Sequence, residues 1–394
     1  MAILSVNAGS SSLKFSLYPF LEGEVQPQIL SGSIEGLEPG GAPVMSWSFQ
    51  GQSSHRALTL GSGTAFELAL QSLRDLLLEL PDAPQIQAVA HRVVHGGAKY
   101  HSSVIVNDSL LAELAELNPL APLHQPHNLA GIRAFTQAFP DVPQVACFDT
   151  AFHANLPEVD YRFPLPEELY AQGLRRYGFH GLSYQYVTGV LQAVSNRANG
   201  RVLMAHLGNG ASLCAAKGGQ SCASTMGFSA LDGLMMGTRT GSLDAGVMLY
   251  LLAHGWDHDR LQKLLYKQSG LLGVSGVSAD MRRLRADTRP SAKLAIDMFT
   301  YRVVRESGAM LACMQGLDVL AFSGGIGEHD VVMRAELGTR LAWLGLVIDP
   351  ALNALATGDK VQHIHAPNSA IEVWVVPTDE GVVVAREAAI LLHP

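Results

Sequence analysis

Residues Asn7-Ala8-Gly9-Ser10-Ser11-Ser12-Leu13-Lys14 form a small, hydroxyl-rich turn between two apolar runs, Ile3 to Val6 and Leu13 to Leu17. The runs predict strands, and the turn between them can bring backbone amides up to a phosphate. It is not a Walker loop, which needs Gly, four residues, then Gly-Lys-Ser/Thr opening a helix; the chain contains no Gly-Lys dipeptide.

The turn has an echo at mid-chain. Val202 to Ala205 and Leu213 to Ala216 flank His206-Leu207-Gly208-Asn209-Gly210-Ala211-Ser212 in the same way. Glycine there permits positive φ and close backbone approach, although either segment alone also reads as an ordinary β-hairpin turn. Two such hairpins imply two related halves. A third element, Val319 to Phe322, predicts a buried strand running into Ser323-Gly324-Gly325-Ile326-Gly327-Glu328-His329 and then a helix from about Val332. A glycine-rich strand-to-helix turn is a natural nucleotide cradle. Gly-Gly-Ile-Gly lacks the third glycine of the dinucleotide fingerprint, which disfavours an oxidoreductase.

With 394 residues, 48% of them apolar and 16% charged, the chain can bury a large core, and its length suggests two domains. A net charge of −8 and the lack of a basic tract argue against nucleic acid or anionic membrane as partners. The opening segment has no basic leader, and no apolar run reaches membrane-spanning length, so a cytoplasmic location is expected. Cys147, Cys214, Cys222 and Cys313 form no CxxC pair and read as reduced thiols.

Strand-like runs at Ala88 to Val94, Gln144 to Phe148 and Val373 to Val376 alternate with helical patterns at Leu110 to Leu117, Leu261 to Tyr266, Leu294 to Met314, Ala335 to Leu344 and Gly381 to Leu392. That alternation predicts an α/β fold of sheets flanked by helices, with ligands at the carboxyl ends of strands. The residues able to carry chemistry follow those strands: His91-Arg92-Val93-Val94-His95-Gly96-Gly97, Cys147-Phe148-Asp149-Thr150-Ala151-Phe152-His153, Arg175-Arg176-Tyr177-Gly178-Phe179-His180-Gly181 and Met235-Met236-Gly237-Thr238-Arg239. Arginines at glycine-rich turns suit multidentate phosphate contacts.

These segments, together with Ser323 to Glu328 and Pro377-Thr378-Asp379-Glu380, resemble in order and along the whole length the acetate kinase family, with its propionate and butyrate kinase members. The resemblance implies a duplicated actin-like fold of the sugar kinase and heat-shock ATPase type, two lobes with mixed sheets flanked by helices around a central cleft. Expected lobes are residues 1–150 with about 382–394, on the acyl side, and 151–381, on the nucleotide side. The implied reaction is reversible, direct in-line transfer of the ATP γ-phosphoryl group to acetate, giving acetyl phosphate and ADP. Mg²⁺ is the implied cofactor, with Mn²⁺ an alternative, and a homodimer is the implied assembly.

By resemblance, Arg92 and Arg239 flank the transferring group, His180 donates to it, and Asp149 orients an arginine or the magnesium shell. Asn7 and Glu380 are the implied metal residues. Implied nucleotide contacts are Lys14, His206, Leu207, Gly208, Asn209, Gly210, Asp280, Met281, Arg282, Gly325, Ile326, Gly327, Glu328 and His329, with Ser10 and Ser12 near phosphate. Val94, Leu123, Phe179 and Ala230 form the implied acyl pocket beside Arg92. The chain departs from the family pattern at Ala230 in place of Pro, Ala98 in place of Glu, Ser242 in place of Asp, where Asp244 is a substitute partner for Arg239, and Gly381 in place of a second acid. A propionate or butyrate kinase on the same scaffold, and an actin-like ATPase of another class, are the competing readings.

Overall fold

The computed structural model describes residues 1–9, 11–38, 40–59, 64–81, 84–122 and 124–393. The expected contacts Ser10 and Leu123 lie outside them. The chain divides into two compact units, Met1–Ala151 with Asp379–Pro394, and Phe152–Thr378.

The first unit is built on a sheet whose strands are β1 (Ala2–Ala8), β2 (Ser12–Leu21), β3 (Glu24–Val25), β4 (Leu30–Glu35), β5 (Val44–Phe49), β6 (Gln52–Ala57), β7 (Ile86–Val93), β8 (Val104–Ile105) and β9 (Gln144–Phe148), ordered β6-β5-β4-β2-β1-β7-β9-β8 with β3 beside β2. β1 and β2 are an antiparallel hairpin, and β1, β7 and β9 run parallel. The parallel strands are buried along almost their whole length, which is why they read as continuous apolar runs. Parallel neighbours need long crossovers. Helix Ala65–Glu79 lies in one of these, and helices Asp108–Glu116 and Gln125–Ala138 in the other. Leu70, Leu73 and Leu76 pack under β1, β2 and β4, while Leu111, Leu114 and Ile132 cover Val93 and Phe148. The terminal helix Glu380–Leu392 packs on β1 and β7.

The second unit repeats the plan. Strands β10 (Arg201–Leu207), β11 (Ala211–Lys217), β12 (Gln220–Ser224), β13 (Val319–Ser323), β14 (Gln362–His363) and β15 (Glu372–Val375) are ordered β12-β11-β10-β13-β15-β14. Here too an antiparallel hairpin, β10 with β11, is followed by parallel β13 and β15. The two hairpins that echo in the sequence therefore hold the same place in their sheets. Helix Gly181–Val194 packs Tyr184, Val187 and Leu191 on β10 and β11.

Three differences from the sequence expectations have local causes. Strands β4 to β6 are an antiparallel meander whose polar composition gives little apolar pattern; at its centre a Cβ on Gly32 would stand 2.5 Å from the Phe15 ring. The Gly324-Gly325-Ile326-Gly327 run is itself a helix, Gly324–His329, leaving β13 directly, and a second helix, Val331–Arg340, begins two residues later. Gly324 adopts φ +72, where a Cβ would lie 2.8 Å from the Leu207 carbonyl oxygen, so the left-handed region and the close approach both require glycine. The apolar pattern from Ala335 to Leu344 breaks at Leu341 into a short 3₁₀ turn, Ala342–Leu344.

Three buried histidines in these cores are neutral. Burial lowers His91, His95 and His153 to about 4, with hydrogen bonds donated by His91 to the Gln144 side-chain oxygen and by His153 to the Phe179 carbonyl opposing it at those two residues. The unfolded chain protonates them near 6.5, so their contribution is fully present above that pH and is lost as the pH falls toward 4. Each sets a slope of about 1.4 kcal/mol per pH unit. The urea midpoint is expected to drop between pH 6.5 and 5.0, and less steeply in His91→Gln; parallel slopes in both proteins would contradict this assignment.

Candidate active site

In the first unit three strand ends converge. The register sets Val6 opposite His91, and Arg92 opposite Cys147, so Asn7, Arg92 and Asp149 leave the sheet at the same carboxyl edge. Arg92 Nε donates to Asp149 Oδ1 at 3.0 Å and Nη2 to Oδ2 at 2.7 Å, a two-pronged carboxylate grip. Glu380 Oε2 lies 3.2 Å from the same Nε. Burial pushes the guanidinium pKa down, but the charges of Asp149 and Glu380 outweigh it, so Arg92 binds its proton more tightly than free arginine. The result is a permanently charged group in a fixed orientation, its side chain a quarter exposed above an almost fully buried Asp149.

Glu380 arrives on the first turn of the terminal helix, which Asp379 caps by accepting from the Val382 amide. Tyr18 Oη donates to Asp379 Oδ1 at 3.0 Å. A Cβ at Gly381 would stand 2.5 Å from that hydroxyl, which is the physical reason no second acid follows Glu380. Val94 is buried, and its amide is held by Asn128, which also donates to the Ala8 carbonyl. Ser12 begins β2, and Lys14 is exposed opposite Asn7.

In the second unit the organising point is Gly210. A Cβ there would lie 3.2 Å from His180 Nε2 and 3.6 Å from Arg239 Nη2, so both side chains converge on the β10–β11 turn. His180 has φ 58, a left-handed conformation uncommon outside glycine and found where surrounding structure enforces it. Its Nδ1 is 2.8 Å from Ser212 Oγ, and its ring stacks on His206 with centroids 4.2 Å apart. His206 Nδ1 in turn meets Ser183, which meets Thr378. Phe179 is buried, and its carbonyl accepts from His153 Nε2. Arg239 Nη1 donates to the Ala230 carbonyl at 2.7 Å, a contact that depends on backbone and not on the residue type at 230. Asp244 caps helix Ala245–Ala253 through the Gly246 amide, and Ser242 bonds Asp232.

The second unit also holds a cavity of about 1010 Å³ lined by Gly208, Asn209, Asp280, Met281, Arg282, Gly325, Ile326 and His329, as well as Ala279, Arg285, Asp330, Val331 and Val332. The first eight are expected nucleotide contacts. His206, Leu207, Gly210, Gly327 and Glu328 do not line it. Leu207 and Gly327 are buried, and Glu328 accepts from the Gly324 and Thr378 amides, so these three shape the wall from behind. Asp280 caps the next helix and pairs with Arg282, whose hydrogen bond holds its carboxyl at about 2. Asn209 Oδ1 fills the place a side chain at Gly237 would need.

Two supporting residues have no local sequence signal. Arg334 is fully buried and donates to the carbonyls of Gly327, Glu328, Asn353 and Ala356, pinning the end of the glycine-rich helix. Arg176 donates to the carbonyls of Ser224 and Met226 and so ties the segment leading to His180 to the loop carrying Ala230. Arg176 reaches about fifty residues and Arg334 up to 22, so no spacing reveals them.

A fork-held arginine at one set of strand ends, and a histidine and arginine sharing a glycine turn beside a nucleotide-sized cavity, suit phosphoryl chemistry. Comparison with known proteins agrees. The acetokinase family model matches residues 2–386. An acetate kinase of Rhodopseudomonas palustris is 47% identical over 391 residues, spanning 98% of this chain and 96% of the relative. The crystal structure of Porphyromonas gingivalis acetate kinase superposes with a TM-score of 0.87 at 35% identity, covering 99% of each chain. That of a propionate kinase from Francisella tularensis gives 0.90 at 35% identity, covering 98% of each.

Proposed function

The chain belongs to the acetate kinase family, and from that premise we propose that it reversibly transfers the ATP γ-phosphoryl group to acetate, yielding acetyl phosphate and ADP. The observation that carries this reading is the Asp149-gripped Arg92 in one unit together with the meeting of His180 and Arg239 at Gly210 in the other. Phosphoryl transfer is mostly positioning and charge neutralisation along a loose in-line path. Arg92 and Arg239 supply charge to the migrating group, and His180 supplies a donor to one of its oxygens. Asp149 keeps Arg92 oriented. Acetate is already ionised at neutral pH, so no general base is required. Family resemblance assigns phosphate contacts to Ser12 and Lys14 in the first unit and to the Gly208 to Gly210 turn in the second, and acyl contacts to Val94 in the first and to Phe179 and Ala230 in the second.

Among the described residues no group of three His, Cys, Asp or Glu side chains is arranged as a metal cage. That suits Mg²⁺, which prefers one or two carboxylates, waters and substrate phosphates. Asn7 in β1 and Glu380 on the first turn of the terminal helix offer hard oxygen donors, and the ion would neutralise charge on the nucleotide phosphates. Four free cysteines accord with a reducing, cytoplasmic setting.

A homodimer accords with helix Ala245–Ala253, every residue of which is at least partly exposed, including Leu249 at 68% and Tyr250 at 62%. Patches of this kind mark association surfaces. Light scattering is expected to give the mass of two chains, and Leu249→Asp with Tyr250→Asp the mass of one; a monomeric parent protein would contradict the assignment.

Ala230 favours a second acceptor, since a smaller wall admits a longer acid and an apolar pocket discriminates by only about 1–3 kcal/mol per methylene. The test is a coupled assay over formate, acetate, propionate and butyrate, with and without Mg²⁺. Acetate is expected to give the highest kcat/KM, with propionate next. Absence of acyl phosphate from every acid, alongside slow ATP hydrolysis, would instead point to a conformational ATPase.

A further inference from the structure

The cavity of the second unit is lined by apolar side chains, Met281, Ile326, Val331 and Val332 among them, and by two ion pairs: Asp280 with Arg282, and Arg285 with Asp330, where Arg285 Nε donates to Asp330 Oδ2 at 2.7 Å. Such a pocket fixes its ligand through the few polar groups it contains. Arg285 is a quarter exposed and Asp330 still less. Arg285 Nη2 is shielded from solvent and has no hydrogen-bond partner among the described residues, so a donor is left over. Asp330 cannot swing away, because its other oxygen accepts from the Met333 amide at 2.9 Å and caps helix Val331–Arg340.

Position along the cavity indicates what the second pair meets. Gly208 and Gly325 lie together, a Cβ on the first standing 3.7 Å from the amide of the second, and on the kinase reading this glycine turn takes the phosphates. Asp330 is five residues further along, about 7 Å away at helical rise. A nucleotide with its phosphates at Gly208 and Gly325 carries its base toward that end.

We propose that Arg285, oriented by Asp330, reads the N7 and 6-position edge of a purine base and is a specificity residue for the nucleotide. The guanidinium donates to N7, an acceptor in adenine and guanine alike, and Asp330 presents an acceptor to a 6-amino group. Pyrimidine nucleotides lack N7 and are disfavoured. This inference rests on reading the cavity as the nucleotide site.

The test is calorimetric binding without acetate, comparing MgADP with Mg-7-deaza-ADP, which differs only in replacing N7 by a carbon. The parent protein is expected to bind MgADP about 10-fold more tightly, as befits one charged hydrogen bond. In Arg285→Met the two ligands should bind equally, and in Arg285→Lys, which keeps a donor, part of the preference should persist. Equal binding of both by the parent protein would overturn this inference while leaving the kinase reading intact. No binding of either would overturn both. The parent comparison needs no variant, so a misfolded Arg285→Met cannot shield the proposal.

Discussion

Arg92→Ala is expected to lower kcat by roughly 10³- to 10⁵-fold, the range for removing an arginine that neutralises a transferring phosphoryl group. Stability should fall as well, because Asp149 is 1% exposed and would lose the guanidinium that grips both its oxygens. Breaking such a pair costs about 3–5 kcal/mol. The two effects separate in the double variant Arg92→Ala/Asp149→Asn, which removes the buried negative charge: thermal stability should largely return, while turnover should not. Arg92→Lys should restore little activity, since one ammonium cannot hold both Asp149 oxygens and still present a planar face to phosphate. Recovery of turnover with stability in the double variant would mean that Arg92 is structural.

Arg239→Ala is expected to cost a similar 10³- to 10⁵-fold in kcat, but with little loss of stability. Arg239 is tied to the Ala230 carbonyl, and losing such a hydrogen bond costs about 1 kcal/mol. MgADP affinity should be nearly unchanged, because Arg239 meets Gly210 and His180 and is absent from the cavity lining. A raised KM for ATP with kcat preserved would assign it to ground-state binding.

The parts of the fold legible in the sequence are those where backbone geometry restricts residue choice. Both phosphate hairpins announce themselves through Gly, Ser and Asn between short apolar runs, and they pair in register as β1 with β2 and β10 with β11. Buried parallel strands such as Gln144–Phe148 appear because both faces are buried and most positions are apolar. The meander β4 to β6 stayed hidden because only one face of it packs on a core, leaving Ser31, Ser33, Ser46 and Ser48 together on the other face of β4 and β5. Helix Gly324–His329 is equally obscure: three of its six residues are glycine, the poorest helix formers after proline. It is held by side chains, by its own Glu328 on the Gly324 amide and by buried Arg334 at its far end.

Site residues divide along the same line. Arg92, Asp149, His180 and Arg239 sit beside glycines or at strand ends, where the chain's order exposes them. Arg176, Arg285 and Asp330 act across tens of residues. Arg285 and Asp330 are 45 positions apart, and neither carries a local pattern that would single it out.

Inhibition by MgADP with aluminium fluoride and acetate, a mimic of the transferring phosphoryl group between its two partners, tests the central claim most directly. The parent protein should form a tight complex only when all three are present. Arg92→Ala and Arg239→Ala should each lose most of that tightness while binding MgADP alone almost normally. Equal, undiminished inhibition of either variant would show that its guanidinium does not act on the group in transit.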